Sequence, residues 1–443
     1  MTSEALLKKS LAQRTNLDSI NQNENLSAES LSAGMIGNVL EWYDFGLYGF
    51  LAPLIGAHFF PSSNPIASLL GAYGGFAIGF AMRPIGGAVL GHIGDRVGRK
   101  AVLIASVVMM GAATTMIGLL PTYQQIGIWA PILLLLVRLF QGFSVGGEFT
   151  GSVSFLVETA PRHLRGIAGS VANIGSTLGY LVAAGLAAAT VMFSTHFQAH
   201  TWIWRVPFIV GGALAVFAYF VRTKLTQTGY EPCEQQDGES NLPLQKAFKE
   251  APRAMILVTI FTWGYGVANY LTMVFFATFA SKFGSINNGY ALTVNTFALA
   301  LAIVVVPISG WLGDRFIRRR SMLIIAFGLT LISAIFFFQM AQGASLAEFA
   351  VAQLGFAVSY GIMMGSAPAM LAERFPSHIR LSGYSVAFNI GIGLGGGTAP
   401  LIATALIGAT GSNLAPAWYL MICALLSIVA LYLMRDRSRE PLR

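Results

Sequence analysis

The chain has 443 residues, of which 55% are hydrophobic and only 10% charged, and its mean hydropathy is +0.65. A soluble domain carries about a quarter charged residues, so this composition excludes an ordinary soluble enzyme. The formal charge of +8 comes with no basic stripe, and nucleic acid is not an expected partner. Two cysteines, Cys233 and Cys423, give neither a disulfide framework nor a metal-ligand spacing.

Residues 1–30 are polar, rich in Asn, Ser and Gln, and lack the apolar stretch of a cleavable signal peptide. They read as a flexible cytoplasmic tail. Six apolar segments follow within residues 31–221, near 31–57, 66–91, 101–120, 129–152, 166–193 and 202–221. The one long polar stretch, 222–251, reads as a cytoplasmic linker. Six more apolar segments occupy 252–434, near 255–280, 290–312, 322–341, 346–372, 381–409 and 418–434, before a short cytoplasmic tail, 435–443. A spanning helix takes about 20 apolar residues, so each segment is a predicted span. The expected fold is an all-α membrane protein of twelve transmembrane helices in two six-helix bundles.

Charge placement orients the chain. All but four of the 27 Lys and Arg fall in the two tails, the linker and alternate loops. The exceptions are Arg83, Arg138, Arg205 and Lys282. The positive-inside rule then puts both termini in the cytoplasm. The basic balance reflects topology.

The two halves also repeat. Gly91-His-Ile-Gly-Asp95-Arg96-Val-Gly-Arg99-Lys100 after the second span returns as Gly310-Trp-Leu-Gly-Asp314-Arg315-Phe-Ile-Arg318-Arg319 after the eighth. Glu158-Thr-Ala-Pro161-Arg-His-Leu-Arg165 after the fourth returns as Glu373-Arg-Phe-Pro376-Ser-His-Ile-Arg380 after the tenth. Such recurrence marks parallel, pseudo-symmetric six-helix repeats.

The ten-residue loop and its copy resemble the signature loop of the major facilitator superfamily. Further stretches narrow the resemblance: Gly37-Asn38-Val-Leu-Glu41-Trp42-Tyr43-Asp44-Phe45, Arg83-Pro84-Ile-Gly86-Gly87, Arg138-Leu-Phe-Gln141-Gly142-Phe-Ser144-Val-Gly146-Gly147-Glu148 and Trp204-Arg205-Val-Pro207-Phe208. Together they are similar to the metabolite:proton symporters, which include proline/betaine, α-ketoglutarate, citrate and shikimate permeases. The resemblance implies a multi-pass protein of the bacterial inner membrane, a functional monomer that moves a small substrate with protons. It also implies that Asp95, Arg96, Arg99, Asp314, Arg315 and Arg318 gate alternating access. The chain ends at Arg443 without the long helical extension of the osmosensing proline/betaine porter, so osmotic activation of that kind is not expected.

Five charges lie inside predicted spans: Glu41, Asp44, Arg83, Arg138 and Glu148. Each costs about 2.5–3.5 kcal/mol near the bilayer centre, so each should be paired or line a wet cavity. Aligning the repeats puts Thr262 and Tyr265 opposite Glu41 and Asp44, and Leu354 and Met363 opposite Arg138 and Glu148. Charges present in one half only point to a task beyond structure. Helical spacing places Asn38, Glu41, Asp44 and Tyr48 on one face of the first helix, and Arg138, Gln141 and Glu148 on one face of the fourth. The expected pairs are Asp44 with Arg138, and Arg83 with Glu41 or Glu148. Glu41, Asp44 and Glu148 are the candidate proton carriers. Arg83 and Arg138 suit a substrate carboxylate, with Gln141, Tyr48, Asn38, Trp263 and Tyr265 beside them. Trp42, Tyr43, Trp263 and Tyr265 equally suit a quaternary ammonium group.

The expected function is proton-coupled symport of a small organic acid or zwitterion, with a proton-antiport exporter as the alternative and a transporter-like sensor as a third reading. The proton gradient supplies the energy, and no cofactor or metal is expected. Gly142-Phe-Ser144-Val-Gly146 and Gly391-Ile-Gly393-Leu-Gly395-Gly396 match hydrolase and dinucleotide motifs, but no strand precedes either. His196 and His200 read as solvated. Glycines four apart, at Gly71, Gly75 and Gly79, Gly142 and Gly146, and Gly175 and Gly179, predict close helix approach. Gly391–Gly397 predicts a hinge.

Overall fold

Apolar runs of this length can satisfy their backbone polar groups in a bilayer only by bonding within the segment, as helices do. The computed structural model describes residues 28–97, 99–197, 202–225, 243–343 and 345–442, and among these it is helical throughout with no strand. Residues 1–27 and 226–242, including Cys233 and most of the linker, lie outside the described residues, as do the side chains of His196 and His200.

The helices form twelve rods. In the first half these are α1 (Ala28–Phe50, continued by Ala52–Phe59), α2 (Pro65–Ala81, continued by Arg83–Val97), α3 (Arg99–Leu119), α4 (Trp129–Ser144, then Glu148–Thr159), α5 (Arg165–Phe197) and α6 (Val206–Leu225). The second half holds α7 (Pro252–Asn269, a π-helical turn Tyr270–Phe275, then Phe276–Lys282), α8 (Asn288–Arg315), α9 (Arg319–Gln342), α10 (Leu346–Ala372), α11 (Ser377–Leu394, then Ala399–Thr410) and α12 (Ala415–Leu433). Ten rods are long and apolar enough to cross a membrane, and Ile104–Leu119 within α3 is a shorter apolar helix. The remaining rod, α1, carries Glu41 and Asp44.

The packing repeats with the sequence. α1 with α5, α2 with α4 and α3 with α6 are matched by α7 with α11, α8 with α10 and α9 with α12. The halves meet along α5–α8 and, less extensively, α2–α11. Outward faces are apolar: Ile332, Phe297, Leu119 and Phe217 are all exposed, as lipid contact requires.

Glycine sets how closely α2 and α4 approach. A Cβ on Gly142 would run into the Gly79 carbonyl, and one on Gly146 into the Gly87 backbone. Gly175 and Gly179 likewise lie close to the backbone of α1 at Met35 and Val39. Three interruptions shape the centre: Val145–Gly147 in α4, the π turn in α7 and Gly395–Thr398 in α11. The expected hinge falls on the last of these. Each break frees backbone groups that only a protein-lined interior can accommodate, so the breaks mark where the site lies.

Candidate functional site

Four of the five membrane charges are buried together. Glu41, Asp44, Arg83 and Arg138 are each no more than 1% exposed. Arg83 comes from the start of the second segment of α2, and its Nη2 donates to Glu41 Oε1 at 2.8 Å. Its Nε donates across the bundle boundary to Asn389 Oδ1 of α11 at 3.3 Å. Asn389 in turn donates to the Gly146 carbonyl at the α4 break. The structure thus selects Glu41, not Glu148, as the partner of Arg83.

Asp44 and Arg138 meet through intermediaries, which corrects the expected direct pair. Thr114 of α3 donates to Asp44 Oδ1 at 2.6 Å, and Gln141 donates to Thr114 Oγ1 at 3.2 Å. Arg138 Nη1 donates to Gln141 Oε1. The guanidinium also lies over the Tyr48 ring, with Cζ 4.2 Å from its centroid. Arg83 and Arg138 each place Cζ 5.3 Å from the Phe45 ring. Arg83 Nη1, Arg138 Nη2 and Asp44 Oδ2 find no hydrogen-bond partner among the described residues. Buried polar atoms are almost always satisfied in folded proteins, so each of these three has an open hydrogen-bonding position inside the first bundle.

Other expected residues lie elsewhere. The fourth helix is not continuous: the break at Val145–Gly147 takes Glu148 off the face of Arg138 and Gln141, and Glu148 opens the second segment partly exposed. There a carboxylate favours the helix dipole. Asn38 bonds Ser152 and the Ala172 carbonyl, knitting α1 to α4 and α5. The Tyr48 hydroxyl donates to the Ala72 carbonyl. Tyr43 turns away, its hydroxyl bonded to the Pro207 carbonyl of α6. Trp263 is 39% exposed on α7 and packs against the α11 break at Gly395. Tyr265 is buried, accepting from Asn173 Nδ2 and donating to Met364 Sδ, so it helps join α5 to α7 and α10. In the second half the buried position matching Arg138 is Gln353, not Leu354, which is exposed. Arg138 precedes Arg165 by 27 residues and Gln353 precedes Arg380 by the same 27.

The aromatic wall of the site centres on a residue with no sequence signal. Tyr270, at the start of the π turn, lies 5.4 Å from Phe76, 5.3 Å from Phe80, 6.3 Å from Tyr180 and 6.5 Å from Trp42, ring centre to ring centre. Trp42 also meets Tyr180 edge-on at 5.5 Å. Both halves therefore build this wall, directly beside Arg83, whose Cζ is 6.0 Å from Trp42 and 5.4 Å from Phe80.

At the end carrying the repeated loops, Asp314 accepts from the Gly166 and Ile167 amides at 2.8 and 3.0 Å. The carboxylate of α8 thus caps the start of α5 in the other half. Arg319 bridges Asp314 to Glu373, and Arg380 reaches across to Glu158 at 2.5 Å. Burial pushes the Glu373 carboxyl above the usual carboxylate range, opposed by Arg319. Arg315 and Arg318 are exposed and form no ion pair among the described residues; Arg315 lies instead over Trp311. Among the described residues, Arg319 and Arg380, rather than Arg315 and Arg318, make the ion pairs at this end. The side chains of Asp95, Arg96 and Arg99 lie outside the described residues.

Comparison with known proteins accords with this architecture. The family described as "Sugar (and other) transporter" matches residues 31–230, and the "Major Facilitator Superfamily" matches residues 258–443. A putative proline/betaine transporter of Staphylococcus aureus (strain COL) is 37% identical over 391 residues, covering 87% of this chain and 83% of its own length. The inner membrane metabolite transport protein YhjE of Escherichia coli (strain K12) is 35% identical over 425 residues, covering 93% of this chain and 95% of its own. Among solved structures, the proton:xylose symporter XylE bound to 6-bromo-6-deoxy-D-glucose superposes with a TM-score of 0.70 at 15% identity, over 94% of this chain and 97% of that one. The chain belongs to the major facilitator superfamily, alongside proline/betaine and metabolite transporters, and is a multi-pass membrane transporter of small molecules, not an enzyme.

Proposed function

We propose that the chain is a proton-coupled importer of a small zwitterion of the proline or betaine kind, acting as a monomer in the bacterial inner membrane with both termini in the cytoplasm. One observation carries the reading: two orphaned guanidinium N–H groups lie beside an aromatic wall that both halves supply. Arginine suits a carboxylate and aromatic faces attract a cationic nitrogen, so a molecule carrying both fits better than a di- or tricarboxylate.

The coupling follows from Arg83. While Glu41 is ionised it holds one nitrogen of that guanidinium, and another reaches Asn389 in the second half. Protonation of Glu41 weakens the pair and frees Arg83 for the substrate carboxylate; closure restores the Asn389 contact. Asp44 stands in the same relation to Arg138, through Thr114 and Gln141. The proton gradient is the energy source, and no cofactor takes part. One proton falling through about 100 mV releases about 2.3 kcal/mol, enough for about a fortyfold gradient. The named relatives favour uptake by symport over the antiport alternative.

The test is uptake into proteoliposomes, offering proline, betaine, citrate, α-ketoglutarate and shikimate in turn, with and without an inward proton gradient. Accumulation of a zwitterion only when the gradient is imposed is the expected result. Uphill uptake that ignores the gradient, or preference for citrate, overturns the reading.

A further inference from the structure

Four arginines converge at the end of the second half that carries the repeated loops. Arg253 opens α7, Arg374 follows α10, and Arg435 and Arg437 follow α12. They line a cavity of about 240 Å³ whose remaining wall includes Leu257 and Leu433, with no carboxylate in the lining. Leu433 is 55% exposed on the outer face of α12, so the cavity is continuous with the apolar belt.

Two of the four lack a direct ion pair among the described residues. Arg253 and Arg374 have no carboxylate within ion-pair distance among the described residues, and Glu440 serves both Arg435 and Arg437, at 2.8 and 3.9 Å. Glu373, next to Arg374 in the chain, is already held by Arg319. Arg374 Nη2 is buried with no hydrogen-bond partner. Burial, then the neighbouring Arg437, pushes the Arg374 guanidinium down to about 10, with Asp436 and Glu373 opposing, so it stays charged at neutral pH. A larger neighbouring cavity, of about 370 Å³, also has four arginines but includes Asp436 and Glu440 in its lining, which offset half the charge.

We propose that the smaller cavity is a binding site for a phosphate group, held by Arg253, Arg374, Arg435 and Arg437. Guanidinium groups match phosphate oxygens in pairs, and the orphaned Arg374 nitrogen gains an acceptor. Two sources share this chemistry, the headgroup of an anionic phospholipid and free phosphate. The apolar wall at Leu257 and Leu433 gives an acyl chain a path into the bilayer, and basic pockets between helices on the cytoplasmic side bind anionic headgroups in this way. The charge count puts this end in the cytoplasm.

The experiment measures the thermal stability of the full chain in neutral detergent, independently of transport, while phosphatidylglycerol, phosphatidylcholine or inorganic phosphate is added. A rise with phosphatidylglycerol but not phosphatidylcholine supports the lipid source. The same rise with inorganic phosphate supports the site with free phosphate as its occupant. Arg253→Gln and Arg437→Gln, both at helix ends, each lower the apparent affinity about fivefold, and Arg374→Gln lowers it further. Equal responses to both lipids and none to phosphate overturn the proposal. So does an unchanged response in the Arg253→Gln/Arg437→Gln double variant.

Discussion

The first bundle surrounds Glu41, Asp44, Arg83 and Arg138 with α1 to α4, whereas the second repeats the same helix pairings around Thr262, Tyr265, Gln353 and Asn389. Both sets of side chains are buried. The first holds its polar groups by ion pairs and side-chain relays; in the second, Thr262 bonds back to the Val258 carbonyl and Gln353 donates to the Thr272 carbonyl. A duplicated frame therefore leaves one half free to carry charge and the other to supply neutral contacts and the Tyr270 face. The end with the repeated loops breaks the symmetry too: Arg380 takes Glu158 across the boundary, whereas Glu373 is held within its own half by Arg319, and Arg165 donates to the Glu440 carbonyl.

Placing a charge in the second bundle tests this difference most severely. Thr262→Glu puts a carboxylate where Thr262 meets α11 near Ala387 and Gly391, without an arginine; it should cost about 2.5–3.5 kcal/mol and appear as a large loss of folded protein on size-exclusion chromatography. Normal yield and melting temperature would contradict the view that the core of the second bundle is built for neutral groups. Next comes coupling itself. Glu41→Gln and Asp44→Asn should each reduce proton-driven accumulation from about fortyfold to near unity, a loss of about 2.3 kcal/mol, while counterflow exchange continues. Glu148→Gln, outside the buried network, should change accumulation much less; uphill uptake retained by both Glu41→Gln and Asp44→Asn would refute the assignment.

The aromatic wall should matter less. Tyr270→Leu keeps an apolar side chain and removes the π face, and should weaken binding of a quaternary ammonium substrate by about 1–2 kcal/mol, with little change for a substrate lacking the cation; equal losses for both would make Tyr270 a packing residue. The smallest effect is expected at Glu158, which is 41% exposed. Glu158→Gln should cost no more than about 1 kcal/mol of stability, yet raise the labelling of a cysteine introduced at that end of the protein as the bridge to Arg380 is lost. No change in labelling would remove this pair from the gate.

Much of the site could be read before folding. Charges inside apolar spans stand out because the membrane penalises them. The partner of each was harder. Thr114 is 70 residues from Asp44, and a threonine in an apolar span is unremarkable, so nothing in the sequence flags the relay that replaces the direct Asp44–Arg138 contact. Trp263 misled for a related reason: α7 is apolar all round, and a helix without a polar stripe does not reveal which residues face lipid. Tyr270 lies in a π turn, which shifts the face its neighbours present and has no signature in the residues themselves. The glycine spacings, by contrast, predicted the α2–α4 and α1–α5 approaches, because an absent side chain has the same consequence wherever two backbones cross.

The sequence by itself determined the number of spans, their alternation and the duplication, since hydropathy and arginine placement act locally and each segment answers to the bilayer alone. It also named the charges that lie inside the spans. Which charge meets which, that Glu148 leaves the central network, that Arg319 and not Arg318 serves Asp314, and that an aromatic wall is shared between the halves were decided only by tertiary structure. Those outcomes depend on helix rotation, on backbone breaks and on how two bundles dock, and these are set by packing between segments far apart in the chain.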